Sequence, residues 1–112
     1  MAQNVFYEVS LKINSQIYDD FSTWLKTHIS EMLTLPGFLS NEIKISYNIK
    51  DNLVNINDLN DTINLIVIYR VENLSKMNEY FSVHAKKMRG DGVERFGGKF
   101  EVSRRVFMEM PL

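Results

Sequence analysis

Residues Thr62–Val71 read TINLIVIYRV, the most continuously apolar run in the chain. Its length and its β-branched content predict a strand, and apolar residues at both parities predict a central one covered on both faces. The stretch before it, KDNLVNINDLND over 50–61, is polar and predicts a solvated hairpin connection. Its oxygen-bearing side chains do not make a calcium loop, because there is no glycine at the turn position and no glutamate at the end. Upstream again, NEIKISYNI over 41–49 alternates. Ile43, Ile45, Tyr47 and Ile49 fall on one face and Glu42, Lys44, Ser46 and Asn48 on the other, as in a strand with one buried side.

The segment ahead of that strand has a different period. In NSQIYDDFSTWLKTHISEMLTL, residues Ile17, Phe21, Trp24, Leu25, His28, Ile29 and Met32 recur every three or four positions, which predicts a helix with an apolar stripe. Asn14 or Ser15 suits its N-terminal cap, Asp19 and Asp20 suit its positive end, and Pro36-Gly37 stops it. NVFYEVSLKI opens the chain as a strand with Val5, Tyr7, Val9, Leu11 and Ile13 on one face. After the central run, NLSKMNEYFSVHAKKM predicts a second helix capped by Asn73, with Leu74, Met77, Tyr80, Phe81, His84 and Met88 as its stripe. FEVSRRVFMEM closes the chain as a strand.

The order β-α-β-β-α-β predicts a single α+β domain over 1–112. It is a ferredoxin-like fold, a four-stranded antiparallel sheet in the order 4-1-3-2 with both helices on one face. The other face then carries Phe6, Glu8, Ser10, Asn64, Ile66, Ile68, Ser103, Arg105 and Phe107. Leaving its aromatic and branched residues in water makes an unusually large apolar patch. A two-fold homodimer that closes two such faces on each other removes it, with a small cavity expected between the sheets.

Composition narrows the function classes. The chain has 13 basic and 14 acidic residues and no cysteine. A balanced charge argues against a nucleic-acid partner. Without cysteine there is no disulfide, no thiolate chemistry and no cysteine-ligated metal or cluster. No stretch approaches the roughly 20 apolar residues of a membrane span, and the N-terminus does not read as a signal peptide. The expectation is a cytoplasmic protein with no cofactor motif.

Chemistry-bearing residues concentrate in HAKKMRGDGVERFGGKF, His84–Phe100. A phosphate loop fails twice there: the position six before Lys99 is Val93, and Phe100 follows the lysine. Gly97-Gly98 reads instead as turn geometry before the last strand. Asp91 reads as the cap of a short turn through Glu94–Phe96, and the Arg-Gly-Asp triplet at 89–91 as incidental. Arg89, Arg95, Arg104 and Arg105 read as surface ion pairs or as a cationic cluster suited to a carboxylate ligand. His28 and His84 each sit on a helix stripe, as structural imidazoles or as a general base or ligand. Two histidines without the His-Glu-x-x-His spelling make a poor metal set.

The same stretch carries a family resemblance. His84-Ala85, Met88-Arg89, Arg95-Phe96-Gly97, Phe100 and Arg104 match the pattern of a bacterial family known as domain of unknown function 4286. Val83 stands where that family usually has an acid, and Trp24 and His28 on the first helix are similar too. That family resembles the dimeric α+β barrels, which include cofactor-free monooxygenases, dye-decolourising peroxidases and muconolactone-isomerase-like enzymes. The resemblance implies the fold and a homodimer, and it implies no activity. Three functions stay open: binding of a small aromatic or acidic ligand in the sheet cavity or the helix–sheet cleft, cofactor-free or haem-dependent catalysis on such a ligand, and a non-catalytic interaction scaffold. The ligand-site candidates are Trp24, His28, His84, Arg89 and Arg95.

Overall fold

In the computed structural model, residues 4–55 and 62–112 are described. β1 (Val5–Asn14) leads through a 3-10 turn at Ser15–Ile17 into α1 (Tyr18–Met32). β2 (Phe38–Ile45), the short strands β3 (Asn48–Lys50) and β4 (Leu53–Asn55), and β5 (Thr62–Val71) follow. The second helical rod is α2 (Leu74–Glu79), a π turn at Tyr80–His84 and α3 (Ala85–Phe96), and β6 (Phe100–Met108) ends the chain. The four long strands pair antiparallel in the order β2-β5-β1-β6. Counting long strands alone, that is the expected 4-1-3-2 order read from the other edge, with Thr62–Val71 in the middle.

Strand parity decides which residues meet the helices. Val5, Tyr7, Leu11 and Ile13 on β1 and Leu65, Val67, Tyr69 and Val71 on β5 are all buried under them. From α1 come Phe21, Leu25, Ile29 and Met32, and from the second rod Met77, Tyr80, Ala85, Met88 and Phe96. Asn73 accepts the Lys76 backbone N–H at 2.9 Å and caps α2 as expected. Asn14 accepts that of Gln16 at 2.9 Å and so caps the 3-10 turn that leads into α1, which itself begins without a side-chain cap. The molecule measures 43 × 39 × 18 Å. The short axis has room for one sheet and one helical layer, so the second sheet face is bare.

Three expectations need correction. The alternation over 41–49 does not make one strand. β2 starts at Phe38 and ends at Ile45, and Asn48–Lys50 turns away to pair with Leu53–Asn55. Asp51 and Asn52, with φ of 53° and 63°, form the tight turn between them, because short polar side chains tolerate the left-handed region. Ile43 and Ile45 are therefore 47% and 53% exposed, since the helices pack over the sheet centre and not its β2 edge. The remainder of the polar connection, 56–61, lies outside the described residues.

The second correction is the stripe of the second helix. It buries Met77, Tyr80, Ala85, Met88, Gly92 and Phe96, so Ala85 takes the inward place expected for His84. The π turn at Tyr80–His84 adds one residue to a helical turn and shifts the inward register by one. The third is Asp91. The helix runs unbroken to Phe96, so Asp91 caps nothing, and Gly90 and Gly92 are both interior helix positions.

Those two glycines have opposite roles. A Cβ at Gly90 would meet nothing within 4 Å, while one at Gly92 would lie 2.8 Å from Trp24 Cη2. Gly90→Ala therefore gains only helix propensity and raises stability by about 0.5–1 kcal/mol. Gly92→Ala gains the same and overpacks against the indole at about 1–3 kcal/mol, so it comes out destabilised. Urea melts of the two variants should move in opposite directions; equal shifts would mean that the indole does not need the glycine.

Candidate functional site

A cavity of about 70 Å³ lies between the helical layer and the sheet. A buried water needs about 10–15 Å³ on this measure, so the space holds several waters or a small ligand. Its floor is the helix-facing side of β1, β5 and β6, including Tyr7, Val9, Leu11, Tyr69, Val102 and Arg104. Phe21, Trp24, Leu25, His28 and Met32 of α1 wall one side, and Tyr80, Met88, Arg89 and Gly92 of the second rod wall the other.

The polar groups of the cleft gather at one end. Arg89 Nη2 donates to the Tyr7 hydroxyl at 3.2 Å. Arg89 Nε is buried and meets no hydrogen-bond acceptor among the described residues. Arg104 sits opposite Val9 on the neighbouring strand. Tyr7 packs on Tyr80 with ring centroids 5.6 Å apart and edge-on to Phe81 at 5.5 Å. The π turn lets the consecutive residues Tyr80 and Phe81 both touch Tyr7. Burial pushes the Tyr80 phenol up to about 12, helped by Tyr7, while Arg89 and Arg104 pull it down. Burial raises Tyr69 further still. Both phenols are therefore neutral hydrogen-bond donors at ordinary pH. Among the described residues lining the cleft none carries a carboxylate, although two carry guanidinium groups.

The α1 wall is a fixed pair of rings. Trp24 stacks on His28 at 4.7 Å, and its Nε1 donates to Asp91 Oδ2 at 2.5 Å. Gly92 leaves room for the indole edge. Trp24 and His28 also line a polar groove on the outer side, with Asp20, Glu31, Asp91 and Arg95, so they separate the inner cleft from the surface. Burial lowers the His28 pKa below the ordinary histidine value, and Glu31 and Asp91 partly oppose this. The folded protein therefore resists protonating His28, whereas the unfolded chain protonates it below about pH 6.5. Stability from this group is complete above that pH and is lost as pH falls through it. His28→Gln should show a smaller loss between pH 7.5 and 5.5 in denaturant melts than the parent; an equal loss would assign that pH dependence to other groups.

Of the five residues singled out from the sequence, the cleft brings together Trp24, His28 and Arg89. Arg95 stands in the outer groove, its guanidinium 5.5 Å from the centre of the neighbouring Phe96 ring. His84 closes the π turn and is absent from the walls described for the cleft. The four arginines do not cluster. Arg105 points to the opposite sheet face, where its Nε and Nη2 reach the two Glu8 carboxylate oxygens at 2.7 and 3.1 Å. Tyr7 and Tyr80 had read as core, and Arg104 as a surface ion pair or as one of a cationic cluster. Strand parity places Tyr7 inward, but only the packing of the second rod shows that its hydroxyl meets a guanidinium. Among the described residues no group of three metal-ligating side chains occurs.

A family model covers residues 4–110. The chain belongs to the DUF4286 family. Its description is a domain of unknown function. No functionally curated protein matches this DUF4286 chain. Solved structures share its fold at low identity. SnoaB, a cofactor-independent oxygenase from Streptomyces nogalater, aligns with a TM-score of 0.68 at 9% identity over 99% of this chain and 97% of its own. An EthD family protein from Bacillus halodurans gives 0.64 at 11% identity, covering 95% and 99%. A dimeric ferredoxin-like protein from an uncultured marine organism gives 0.60 at 8% identity, covering 98% and 99%. At these identities the likeness carries the fold alone. No helix among the described residues is long and apolar enough to cross a membrane.

Proposed function

We propose that this DUF4286 chain is a homodimeric small-molecule-binding protein whose ligand is a small organic anion held in the helix–sheet cleft. One observation carries the reading: among the described residues the cleft presents the guanidinium groups of Arg89 and Arg104 and no carboxylate, with Arg89 Nε buried and without an acceptor. A buried N–H without an acceptor is costly even where the same guanidinium donates elsewhere, and a carboxylate accepts bidentately from arginine. The balanced net charge of −1 favours a small ligand over a nucleic acid, and the cytoplasm is the compartment proposed. The dimer rests on the bare sheet face and on the dimeric neighbour that shares the fold.

The test is a thermal-shift screen of organic acids and neutral analogues. An acid at 100 times its Kd should stabilise the protein by about 2.7 kcal/mol. Arg89→Met should remove that shift. If no compound of either kind raises the melting temperature, the scaffold reading replaces this one.

Catalysis on the bound anion is the second reading. It is favoured by His28, a cleft wall whose burial keeps it neutral and so able to accept a proton. His28→Gln should then abolish turnover and leave binding intact. The cofactor-free form of this reading fits the cleft, while a porphyrin does not fit a space of about 70 Å³.

A further inference from the structure

The strand register grades the cleft from polar to apolar. Tyr7 pairs with Tyr69, and two residues along, Val9 pairs with Arg104 on the other side. One further step brings Leu11 opposite Val102, and the next brings Ile13 opposite Phe100. Each step of two residues is about 7 Å. The polar groups of the sheet therefore occupy one end, and the far end is lined by rings: Phe21 lies 5.4 Å from Phe100 and 5.2 Å from Phe96. The guanidinium end reaches solvent through Arg104, which is exposed on the edge strand β6, while Tyr7, Tyr69 and Tyr80 beside it are buried.

We propose that the ligand is a compact amphipathic monocarboxylate. Its carboxylate sits between Arg89 and Arg104, and its apolar body points along the cleft to a stop formed by Phe21 and Phe100. The inference rests on the cleft being a ligand site and adds the class, the orientation and the residues that measure chain length. Hydrocarbon gains from the apolar end and loses at the ring stop. A small inorganic anion gains from the guanidinium end alone.

Calorimetric titration of the intact protein with straight-chain carboxylates from acetate to octanoate, with the matched primary amides, and with inorganic phosphate tests it. Affinity for the acids should rise about fourfold per added methylene to an optimum and then fall. The amides should bind at least tenfold more weakly than the acids. Arg104→Met should remove that difference, and Phe100→Ala should move the optimum to a longer acid. Val102→Ala, beside the same end, repeats the length test should Phe100→Ala melt below room temperature. Phosphate binding as tightly as the best acid, or an optimum unmoved in both variants, would overturn the inference and leave the cleft reading standing, whereas amides binding as tightly as acids would overturn the anion reading with it. Binding of no acid and no amide would overturn both.

Discussion

Phe21→Ala is expected to cost about 3–5 kcal/mol of stability, the usual range for emptying a buried aromatic site. Phe21 is 1% exposed and touches three other rings, Trp24 at 5.4 Å, Phe96 at 5.2 Å and Phe100 at 5.4 Å. Those rings come from α1, from α3 and from the loop-to-strand junction at β6, so the cluster pins both helices to the closing strand. Their backbones are held by separate hydrogen-bond ladders, which limits how far the site can collapse. A domain of this size is commonly stable by about 5–15 kcal/mol, so the variant keeps little margin. Urea denaturation should show a lower midpoint with an unchanged slope. A loss under about 1 kcal/mol would mean that neighbouring side chains refill the site. Phe21→Leu, which keeps most of the volume, should cost far less.

The second large effect concerns oligomeric state. Wild-type protein at micromolar concentration should scatter light as twice the chain mass, and Ile66→Asp as the chain mass. The bare face holds Phe6 stacked on Phe107 at 5.9 Å, with Ile66 and Ile68 half-buried beside the Glu8–Arg105 pair. Glu8 is only 6% exposed although it lies on this face. The face thus already satisfies its one buried acid inside the monomer. Ile66 pairs with Ser10 and with Lys44 across the two neighbouring strands. An aspartate there is hydrated on the bare face of the monomer, which stays folded. Facing another sheet, the same carboxylate is buried, and an unpaired buried charge costs several kcal/mol, or about a thousandfold in Kd at 4 kcal/mol. A monomeric wild type would remove the dimer reading. A dimeric Ile66→Asp would place the interface elsewhere, and the apolar hairpin carrying Ile49, 77% exposed, would be the next surface to change.

The sequence by itself determined the order of the four long strands and the two helical rods, and with it the main sheet. Period-two alternation in β1, continuous apolar character in β5 and 3.6-residue periodicity in α1 each come from local geometry, which a single segment records. The asparagine caps at Asn14 and Asn73 were legible for the same reason, since each bonds within three residues. So was the bare face, because strand parity alone assigns Phe6, Glu8, Ile66, Ile68, Arg105 and Phe107 to it.

Only the tertiary structure decided the site. The π turn at Tyr80–His84 leaves no local signature, and one extra residue exchanged His84 for Ala85 in the core. Gly90 and Gly92 look like breakers in sequence, yet the helix continues through them because Trp24 lies against Gly92 and bonds Asp91. Arg104 and Arg105 are adjacent and identical in type, but the strand sends one to the cleft and the other to Glu8. The meeting of Tyr7 with Arg89 joins residues 82 apart in the chain. A buried N–H without an acceptor is a property of everything that surrounds it, so the cleft and its two guanidinium groups exist only once the helices have packed on the sheet.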